Sequence, residues 1–217
     1  MPRLPSILGS LITFEGGEGA GKSSQISRLC DRLLAEGGVP SGQVIQVREP
    51  GGTAMGEGVR ELLKRRDSDI APEAELLLFA ACRAQLVAEV VAPALRAGKV
   101  VVCDRFADST LAYQEGGRGL PGAAVRSANL LACQGVGPRL TVLLDLPPEI
   151  GLARAAQRDQ GRPDRLEALD LAFHRRVRQA YLALAASDPG RFLLLDATQP
   201  PDAVADAVWH EVLRRFS

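Results

Sequence analysis

A glycine-rich segment near the start of the chain carries the residue types needed to hold a phosphate chain. Residues 16–23 read GGEGAGKS, which fits the pattern G-x-x-x-x-G-K-[ST]. Glycines let backbone amides close around phosphate oxygens, and a helix that begins there adds its partial positive charge. Lys22 would reach the β- and γ-phosphates, and Ser23 would hold magnesium. The segment predicts a nucleoside triphosphate site; the alternative is a glycine-rich turn before a solvated lysine.

Charged residues close two later apolar segments. Arg48 ends one and is followed by EPGGT, and Asp104 ends another and is followed by Arg105 and Phe106. Ligands of open α/β sheets bind outside the carboxyl ends of the strands, so both motifs would face the glycine-rich loop. A phosphate loop alone indicates only that a nucleotide binds, because switches, motors and kinases all carry one.

The elements that must position these residues follow from the hydrophobic pattern. Short runs rich in leucine and β-branched residues predict buried strands at 11–15, 44–48, 100–104, 140–146 and 192–196. Helical spacing predicts helices at 22–36, 72–97, 123–133, 148–158 and 166–186. Continuous apolar strands that alternate with helices indicate an α/β fold with a parallel sheet covered on both faces. We expect residues 1–217 to form a single domain.

Composition limits the partners. Twenty-six basic residues balance 26 acidic ones, so the bulk charge favours neither nucleic acid nor an anionic membrane. We expect no apolar run of about 20 residues that would span a bilayer and no secretory leader, and hence a cytoplasmic protein. Four widely spaced cysteines without a CxxC pair predict buried, reduced thiols.

A polar stretch at 159–164, DQGRPD, is the most loop-like internal segment and is a candidate mobile flap. Arginines flank and occupy it at positions 154, 158, 162 and 165. Such a run is ordinarily a solvated helix face. Phosphoryl transfer favours a second interpretation, because charge on the transferring group is stabilised by arginine delivered from a closing lid.

Taken together, the motifs resemble the thymidylate kinase family. The matching signatures are FEGGEGAGKSS at 14–24, REPGGT at 48–53, DRFADSTLAYQ at 104–114, GLARAAQRDQGRPDRLE at 151–167 and LLLDATQP at 193–200. They occur in the expected order over nearly the whole chain. The resemblance implies a P-loop nucleoside monophosphate kinase fold with a five-stranded parallel sheet and a small lid at about 151–167.

The resemblance also implies an activity: transfer of the γ-phosphoryl group of ATP to dTMP, giving dTDP and ADP, with Mg²⁺. It further implies a homodimer. The residues expected to bind ATP are Gly16, Gly17, Glu18, Gly19, Ala20, Gly21, Lys22, Ser23 and Ser24. Magnesium would be held by Ser23 and, usually through water, by Asp104; Asp145, at another strand end, is the rival candidate.

The same resemblance assigns the acceptor site. Arg48 and Arg105 match positions that hold the acceptor phosphate, although either could be a structural ion pair. Phe79 would stack on thymine, and Arg83 would hydrogen-bond to the edge of the base. Without the resemblance, Phe79 would be interpreted as a core residue and Arg83 as a surface charge. The residues expected to line the nucleoside pocket are Ser109, Tyr113 and Gln114, with Tyr113 against the sugar. Glu18 would contact the 3′-hydroxyl.

Catalysis is then expected to depend on Lys22, Arg105 and a lid arginine. The loop carries Glu18 rather than an arginine, which resembles the bacterial-type arrangement in which the lid supplies that group. Arg158 is the first candidate and Arg162 the second. The competing functions are another nucleoside monophosphate or deoxynucleoside kinase and a P-loop switch, against which the acceptor-side motifs argue.

Overall fold

Five short apolar segments form one parallel sheet. The computed structural model describes residues 4–158 and 160–217. Within these, the strands are β1 (Leu11–Glu15), β2 (Val44–Arg48), β3 (Val100–Asp104), β4 (Leu140–Asp145) and β5 (Phe192–Asp196), in the order β2-β3-β1-β4-β5. Every neighbouring pair is parallel. The predicted strands and the α/β class are confirmed.

Helices lie on both sides of the sheet. The described residues form α1 (Lys22–Ala35), α2 (Ala54–Lys64), α3 (Pro72–Leu86), α4 (Ala92–Arg96), α5 (Ala107–Thr110), α6 (Gly122–Cys133), α7 (Pro148–Arg158), α8 (Leu171–Ser187) and α9 (Pro201–Phe216). Val100 and Val102 of β3 join the apolar cluster that includes α1 and α9. Val101 and Cys103 join the cluster beneath α3 and α4. Alternate residues of one strand therefore bury into opposite faces, as a doubly covered sheet requires.

The predicted helices are present, with one boundary in error. Pro72 and Pro148 occupy first turns, where a missing N–H costs nothing. The helix expected from residue 166 begins at Leu171, because Asp170 caps it by accepting the Phe173 N–H at 2.6 Å. Asp164 meanwhile accepts the N–H groups of residues 166 and 167, which holds that segment in a turn. Helices α2, α5 and α9 were not predicted.

The helix from Pro72 to Arg96 contradicts the expectation that no apolar run is long enough to span a bilayer. It contains a π-helical stretch, Val87–Val91, between α3 and α4, and its most apolar part has a mean hydropathy of 1.6. By length and composition alone it is apolar enough to cross a membrane. It nevertheless contains two charged side chains that are almost completely buried, Glu75 and Arg83, each ion-paired to another element. We interpret it as a core helix.

The four cysteines are free. Cys82 and Cys103 are buried, and Cys30 and Cys133 are half-buried. Burial raises the pKa of the Cys82 thiol to about 11, so this thiol is protonated at neutral pH.

Glu75 joins three elements around the base of α3. Its side chain is completely buried and accepts hydrogen bonds from Gln114 Nε2 at 3.0 Å, from Arg118 Nη2 at 2.8 Å and from Arg165 Nη2 at 2.6 Å. Gln114 lies in a second π-helical stretch, Leu111–Gly117, and Arg165 lies near the end of the predicted lid. Burial raises the pKa of Glu75, but the hydrogen bonds from Arg118 and Gln114 outweigh it and the pKa is lowered. One carboxylate thus fixes α3, the π-helical stretch and the end of the lid.

Replacing Glu75 by alanine should lower the free energy of unfolding by about 3 to 5 kcal/mol, because two largely buried arginines lose their counter-charge. Glu73, exposed on the same turn of α3, is the matched control: Glu73→Ala should change stability by less than about 0.5 kcal/mol. Urea unfolding followed by circular dichroism measures both. Equal effects of the two substitutions would contradict the role assigned to Glu75.

Candidate active site

The glycine-rich loop connects β1 to α1 and depends on residues without a Cβ. Gly16 has φ 138°, and a Cβ there would lie 2.5 Å from the Leu144 carbonyl oxygen. A Cβ on Gly19 would lie 2.2 Å from the Gly151 carbonyl oxygen. The loop is therefore packed against β4 and α7, and only glycine fits these two positions.

Lys22 begins α1 and turns back over the loop. Its Nζ donates to the carbonyl oxygens of Gly16 at 3.1 Å and Gly17 at 2.9 Å. Burial, together with the nearby Arg105 charge, lowers the pKa of Lys22 to about 8. Its neighbour Ser23 donates to Asp104 Oδ2 at 3.0 Å, which places a hydroxyl and a carboxylate side by side at the sheet edge.

A cavity of about 540 Å³ lies outside the carboxyl ends of β1, β2 and β3. It brings together most of the predicted site residues. Those that line it are Glu18, Gly19, Ala20, Gly21, Lys22, Ser23, Ser24, Arg48, Phe79, Arg83, Asp104, Arg105, Ser109, Tyr113, Gln114 and Arg158. Gly16 and Gly17 do not line it, and Gly17 borders a smaller cavity instead. Arg162 is exposed and lies outside the lining.

Arg105 is the most constrained cation of the cavity. Its φ of 69° is left-handed, which is unusual for a residue other than glycine. Its Nη1 donates to the Gly16 carbonyl oxygen at 3.1 Å and to Tyr181 Oη at 3.2 Å, and its Nη2 donates to Glu18 Oε1 at 2.8 Å. Arg48, by contrast, is exposed and pairs with Glu57 at 3.0 Å. Both arginines line the cavity and both are also ion-paired. Their assignment to the acceptor phosphate stays a prediction.

Glu18 is shared by two partners. Oε1 accepts the Tyr113 hydroxyl at 2.8 Å as well as Arg105. Burial would raise the pKa of Glu18, but the charges of Arg105 and Lys22 and the Tyr113 hydrogen bond lower it to about 2. Glu18 is therefore a carboxylate throughout the physiological range and can accept hydrogen bonds from a ligand hydroxyl.

Phe79 and Arg83 differ in their surroundings although both line the cavity. Phe79 is half-buried. Arg83 is 1% exposed; its Nη1 donates to Asn129 Oδ1 at 2.7 Å, and its Nη2 pairs with Glu49 at 2.6 Å. The interpretation of Arg83 as a surface charge is wrong, since a helix that packs against the sheet turns this position inward. Its assignment to the thymine edge remains a prediction.

Two of the four lid arginines, Arg154 and Arg158, line the cavity. Arg154 Nη1 donates to the Ala197 carbonyl oxygen at 3.2 Å, and Arg165 is held by the Leu63 carbonyl oxygen and Glu75. Arg158 lines the cavity, with a side chain that is 58% exposed and pairs with Glu167 at 2.7 Å. Asp159, the first residue of the candidate flap, lies outside the described residues.

Asp145, the rival magnesium ligand, has a structural partner. Its two carboxylate oxygens accept hydrogen bonds from Arg178 Nε at 2.7 Å and Nη2 at 2.8 Å, so it fastens α8 to the end of β4. In the part of the chain that the structure describes, no group of three or more His, Cys, Asp or Glu side chains is placed to hold a metal ion.

Several residues at the site were not predicted. Glu15 and Tyr181 lie behind Arg105, and Arg60 of α2 lines the cavity beside Arg48. A charged residue at the end of an otherwise apolar strand was the available signal for Glu15. Tyr181 carried no signal, because a tyrosine at a buried helical position reads as core.

The parallel sheet, the loop between β1 and α1 and the cavity beyond the strand ends define a P-loop nucleoside monophosphate kinase fold. The thymidylate kinase family model matches residues 14–208. The chain is 52% identical over 207 residues to a thymidylate kinase of Deinococcus radiodurans, with 95% of this chain and 98% of that protein covered. It is 53% identical over 205 residues to one of Synechococcus sp. (strain JA-2-3B'a(2-13)), with 94% and 95% covered.

A crystal structure of thymidylate kinase from Ehrlichia chaffeensis superposes with a TM-score of 0.75 at 30% identity, covering 98% of this chain and 99% of that one. The chain belongs to the thymidylate kinase family. The fold class and family predicted from the motifs are confirmed.

The lowered pKa of Lys22 predicts proton uptake when a nucleoside triphosphate binds. At about pH 9, the lysine is mostly neutral in the free protein, and phosphate oxygens should raise its pKa and return about one proton. At about pH 7 it is already charged, so uptake by the lysine should be small. Calorimetry with ATP in two buffers of different ionisation enthalpy gives the number of protons.

Lys22→Met is the control, since it keeps the ligand's own titration and removes the amine. Uptake that is equal in the parent protein and in Lys22→Met would show that the amine does not titrate in this range.

Proposed function

We propose that the chain transfers the γ-phosphoryl group of ATP to dTMP, giving dTDP and ADP, and that the transfer takes place in the central cavity. One observation carries the proposal: the phosphate loop and a second set of cations, Arg48 and Arg105, open onto the same cavity as Phe79 and Tyr113. A P-loop switch would need no such second set. An anion bound by these arginines would lie beside the triphosphate and could act as its acceptor.

On the donor side, residues 16–24 would wrap the triphosphate. The loop amides and the start of α1 face phosphate oxygens, and Lys22 would exchange its two carbonyl partners for the β- and γ-phosphates. This exchange is favourable because an anionic partner replaces neutral ones.

Magnesium fits the oxygen donors at the sheet edge. The Ser23 hydroxyl and the Asp104 carboxylate already contact each other at 3.0 Å, and hard cations prefer such oxygen ligands. We assign the magnesium of the reaction to these two residues. When bound, it would neutralise charge on the β- and γ-phosphates.

On the acceptor side, Arg105 and Arg48 would hold the monophosphate of dTMP. A guanidinium fork suits two phosphate oxygens, and Arg105 is aimed by its contacts with Gly16 and Glu18. Phe79 would stack on thymine, while Arg83 would address its edge. Ser109 and Gln114, which also line the cavity, would complete the nucleoside pocket.

The chemistry needs no strong general base, because a phosphate monoester is already ionised at neutral pH. Repulsion between two anions is the barrier to be offset, and Lys22, Arg105 and a lid arginine supply positive charge. Arg158 is the first choice because it lines the cavity with an exposed side chain, whereas Arg154, which also lines it, donates to the Ala197 carbonyl oxygen. Arg162 is the second choice and would reach the site only if the lid closes. The lid, at about 151–167, would close over ATP within a single domain of 217 residues.

We further propose a homodimer formed through α3 and α6, in a cytoplasmic protein. Leu130 and Leu131 of α6 are 77% and 80% exposed, and Leu77 of α3 is 63% exposed. The two helices are neighbours: Gln134 Nε2 donates to the Ala84 carbonyl oxygen at 2.9 Å. Exposed leucines on adjacent helices favour association with an equivalent surface.

The activity is tested by a coupled assay with ATP, magnesium and a panel of nucleoside monophosphates. Turnover of dTMP should exceed that of AMP, GMP, CMP and UMP. Turnover with another base at equal or higher kcat/KM would reassign the acceptor, and ATP hydrolysis without any transfer would favour the switch.

Discrimination against ribose should depend on the Tyr113 ring. Tyr113 is buried and its hydroxyl holds Glu18, so a 2′-hydroxyl would meet a fixed ring. Tyr113→Ala should lower the preference for dTMP over its ribonucleotide analogue by about tenfold, a typical value for loss of a steric block. Tyr113→Phe keeps the ring and should keep the preference. Equal loss of both substrates in Tyr113→Ala would make the ring a packing element only.

Dimerisation should be lost when both Leu130 and Leu131 are replaced by glutamate, because buried carboxylates without partners are costly. Sedimentation should give twice the 23.1 kDa chain mass for the parent and the chain mass for the variant. Leu194→Glu, at an exposed leucine of β5, is the control and should remain dimeric. A parent that sediments as a monomer would contradict the proposal.

A further inference from the structure

Glu15, the last residue of β1, is a buried carboxylate that lies next to the phosphate loop and has no part in the reaction described above. Its side chain is completely buried. Oε1 accepts the Phe106 N–H at 2.7 Å, and Oε2 accepts the Ser109 hydroxyl at 2.6 Å and the Tyr181 hydroxyl at 3.0 Å. The Glu15 carboxylate therefore connects three elements, which are β1, the start of α5, and α8.

The two hydroxyls also contact the guanidinium of Arg105. Its Nη1 lies 3.3 Å from Ser109 Oγ and 3.2 Å from Tyr181 Oη. A hydroxyl that donates its proton to Glu15 keeps its lone pairs for another donor. The two hydroxyl oxygens also lie 2.7 Å apart, so one hydroxyl can donate to the other instead of to Glu15. In either arrangement the hydroxyl protons point to the carboxylate or to each other, and both oxygens keep lone pairs that accept from Arg105.

The backbone of Arg105 is fixed from the same side. Its own N–H donates to the Phe14 carbonyl oxygen at 2.9 Å, and the next N–H, that of Phe106, donates to Glu15. These two bonds hold the left-handed conformation of Arg105, whose φ is 69°. Residues 14 and 15 of the strand therefore determine both the backbone and the side-chain position of this arginine.

We infer that Glu15 is a positioning residue for the acceptor phosphate, acting on Arg105 through Ser109, Tyr181 and the Phe106 N–H. The inference rests on the proposed function, in which Arg105 holds that phosphate. Glu15 touches no substrate. Its contribution is to keep neutral hydroxyl oxygens, rather than a second carboxylate in direct contact, against Nη1 of Arg105.

The ionisation of Glu15 gives this arrangement a measurable pH dependence. Burial and the nearby Asp108 raise the pKa of Glu15 to about 7, against the lowering effects of Ser109, Arg105 and the Phe106 N–H. The other charged or titratable groups that interact with it are Lys22, Arg83, Cys103 and Tyr181. A protonated Glu15 donates to one of the hydroxyls instead of accepting from it, which reverses the order of hydrogen bonds among Glu15, Ser109 and Tyr181 that places their oxygens against Arg105. Acceptor binding should therefore weaken as pH falls through 7.

Calorimetric binding of dTMP and of thymidine to the parent and to Glu15→Gln tests the inference. The glutamine side chain of this variant is neutral, and its amide must donate where the carboxylate accepted. The variant should bind dTMP about tenfold more weakly, the effect of misplacing one charge-assisted contact, and thymidine as well as the parent does. Thymidine lacks the phosphate that Arg105 holds, so a general loss of packing would affect both ligands.

Asp108→Asn is the matched control, because Asp108 is the neighbouring buried carboxylate but pairs with Arg191 at 2.6 Å. Above about pH 8 it should bind dTMP like the parent, and its loss of binding on acidification should occur at lower pH, since removing a negative charge lowers the pKa of Glu15. Tyr181→Phe keeps the ring and should weaken the binding of dTMP but not that of thymidine. This variant tests the inference if Glu15→Gln does not fold.

The outcomes separate the two proposals. A parent that neither binds nor phosphorylates dTMP would contradict the proposed function. If the parent binds and phosphorylates dTMP, equal losses for dTMP and thymidine would reduce Glu15 to a structural residue. Unchanged dTMP binding in the folded Glu15→Gln and Tyr181→Phe variants would also overturn the inference.

Discussion

Two largely buried cations converge on one carbonyl oxygen, that of Gly16. Lys22 Nζ and Arg105 Nη1 each donate to it at 3.1 Å. At a separation of about 6 Å and an effective dielectric constant of about 20, two such charges repel each other by about 3 kcal/mol. Burial and this repulsion together lower the pKa of Lys22 to about 8. An anion bound beside both cations would relieve this repulsion, and much of the surrounding structure serves to hold them there.

The register of the sheet is what brings the two cations together. Phe14 of β1 lies opposite Asp104 of β3, and Arg48 of β2 lies opposite the same residue. The strands consequently end level, and the residues after them enter the cavity side by side. Carboxylates at this edge balance the cations in different ways: Glu18 pairs directly with Arg105, and Glu15 acts through hydroxyls. A shift of one residue in this register would reverse which side chains face the cavity.

Periodicity and punctuation located the five strands, the main helices and the loop. The motifs located most of the residues that line the cavity. Helices α2 and α9 were missed because no motif or strand pattern required them, and the π-helical stretch Leu111–Gly117 has no sequence pattern of its own. The burial of Arg83 and of Glu15 was not predicted, for one physical reason. A charged residue is expected at the surface, and its burial depends on partners distant in sequence, such as Glu49 for Arg83 and Tyr181 for Glu15.

Arginine and lysine have different tasks in this molecule: arginine holds the ligand and the protein together, and lysine adjusts its charge to its surroundings. Of 26 basic side chains only three, Lys22, Lys64 and Lys99, are lysines. Arginine stays charged when buried and offers several fixed donors, so it can hold a ligand and the protein at once, as Arg105 does. Lysine is a compact charge whose pKa responds to its surroundings. At the point where two cations must share one carbonyl before a ligand arrives, a lysine can relieve the repulsion by releasing a proton, and an arginine could not.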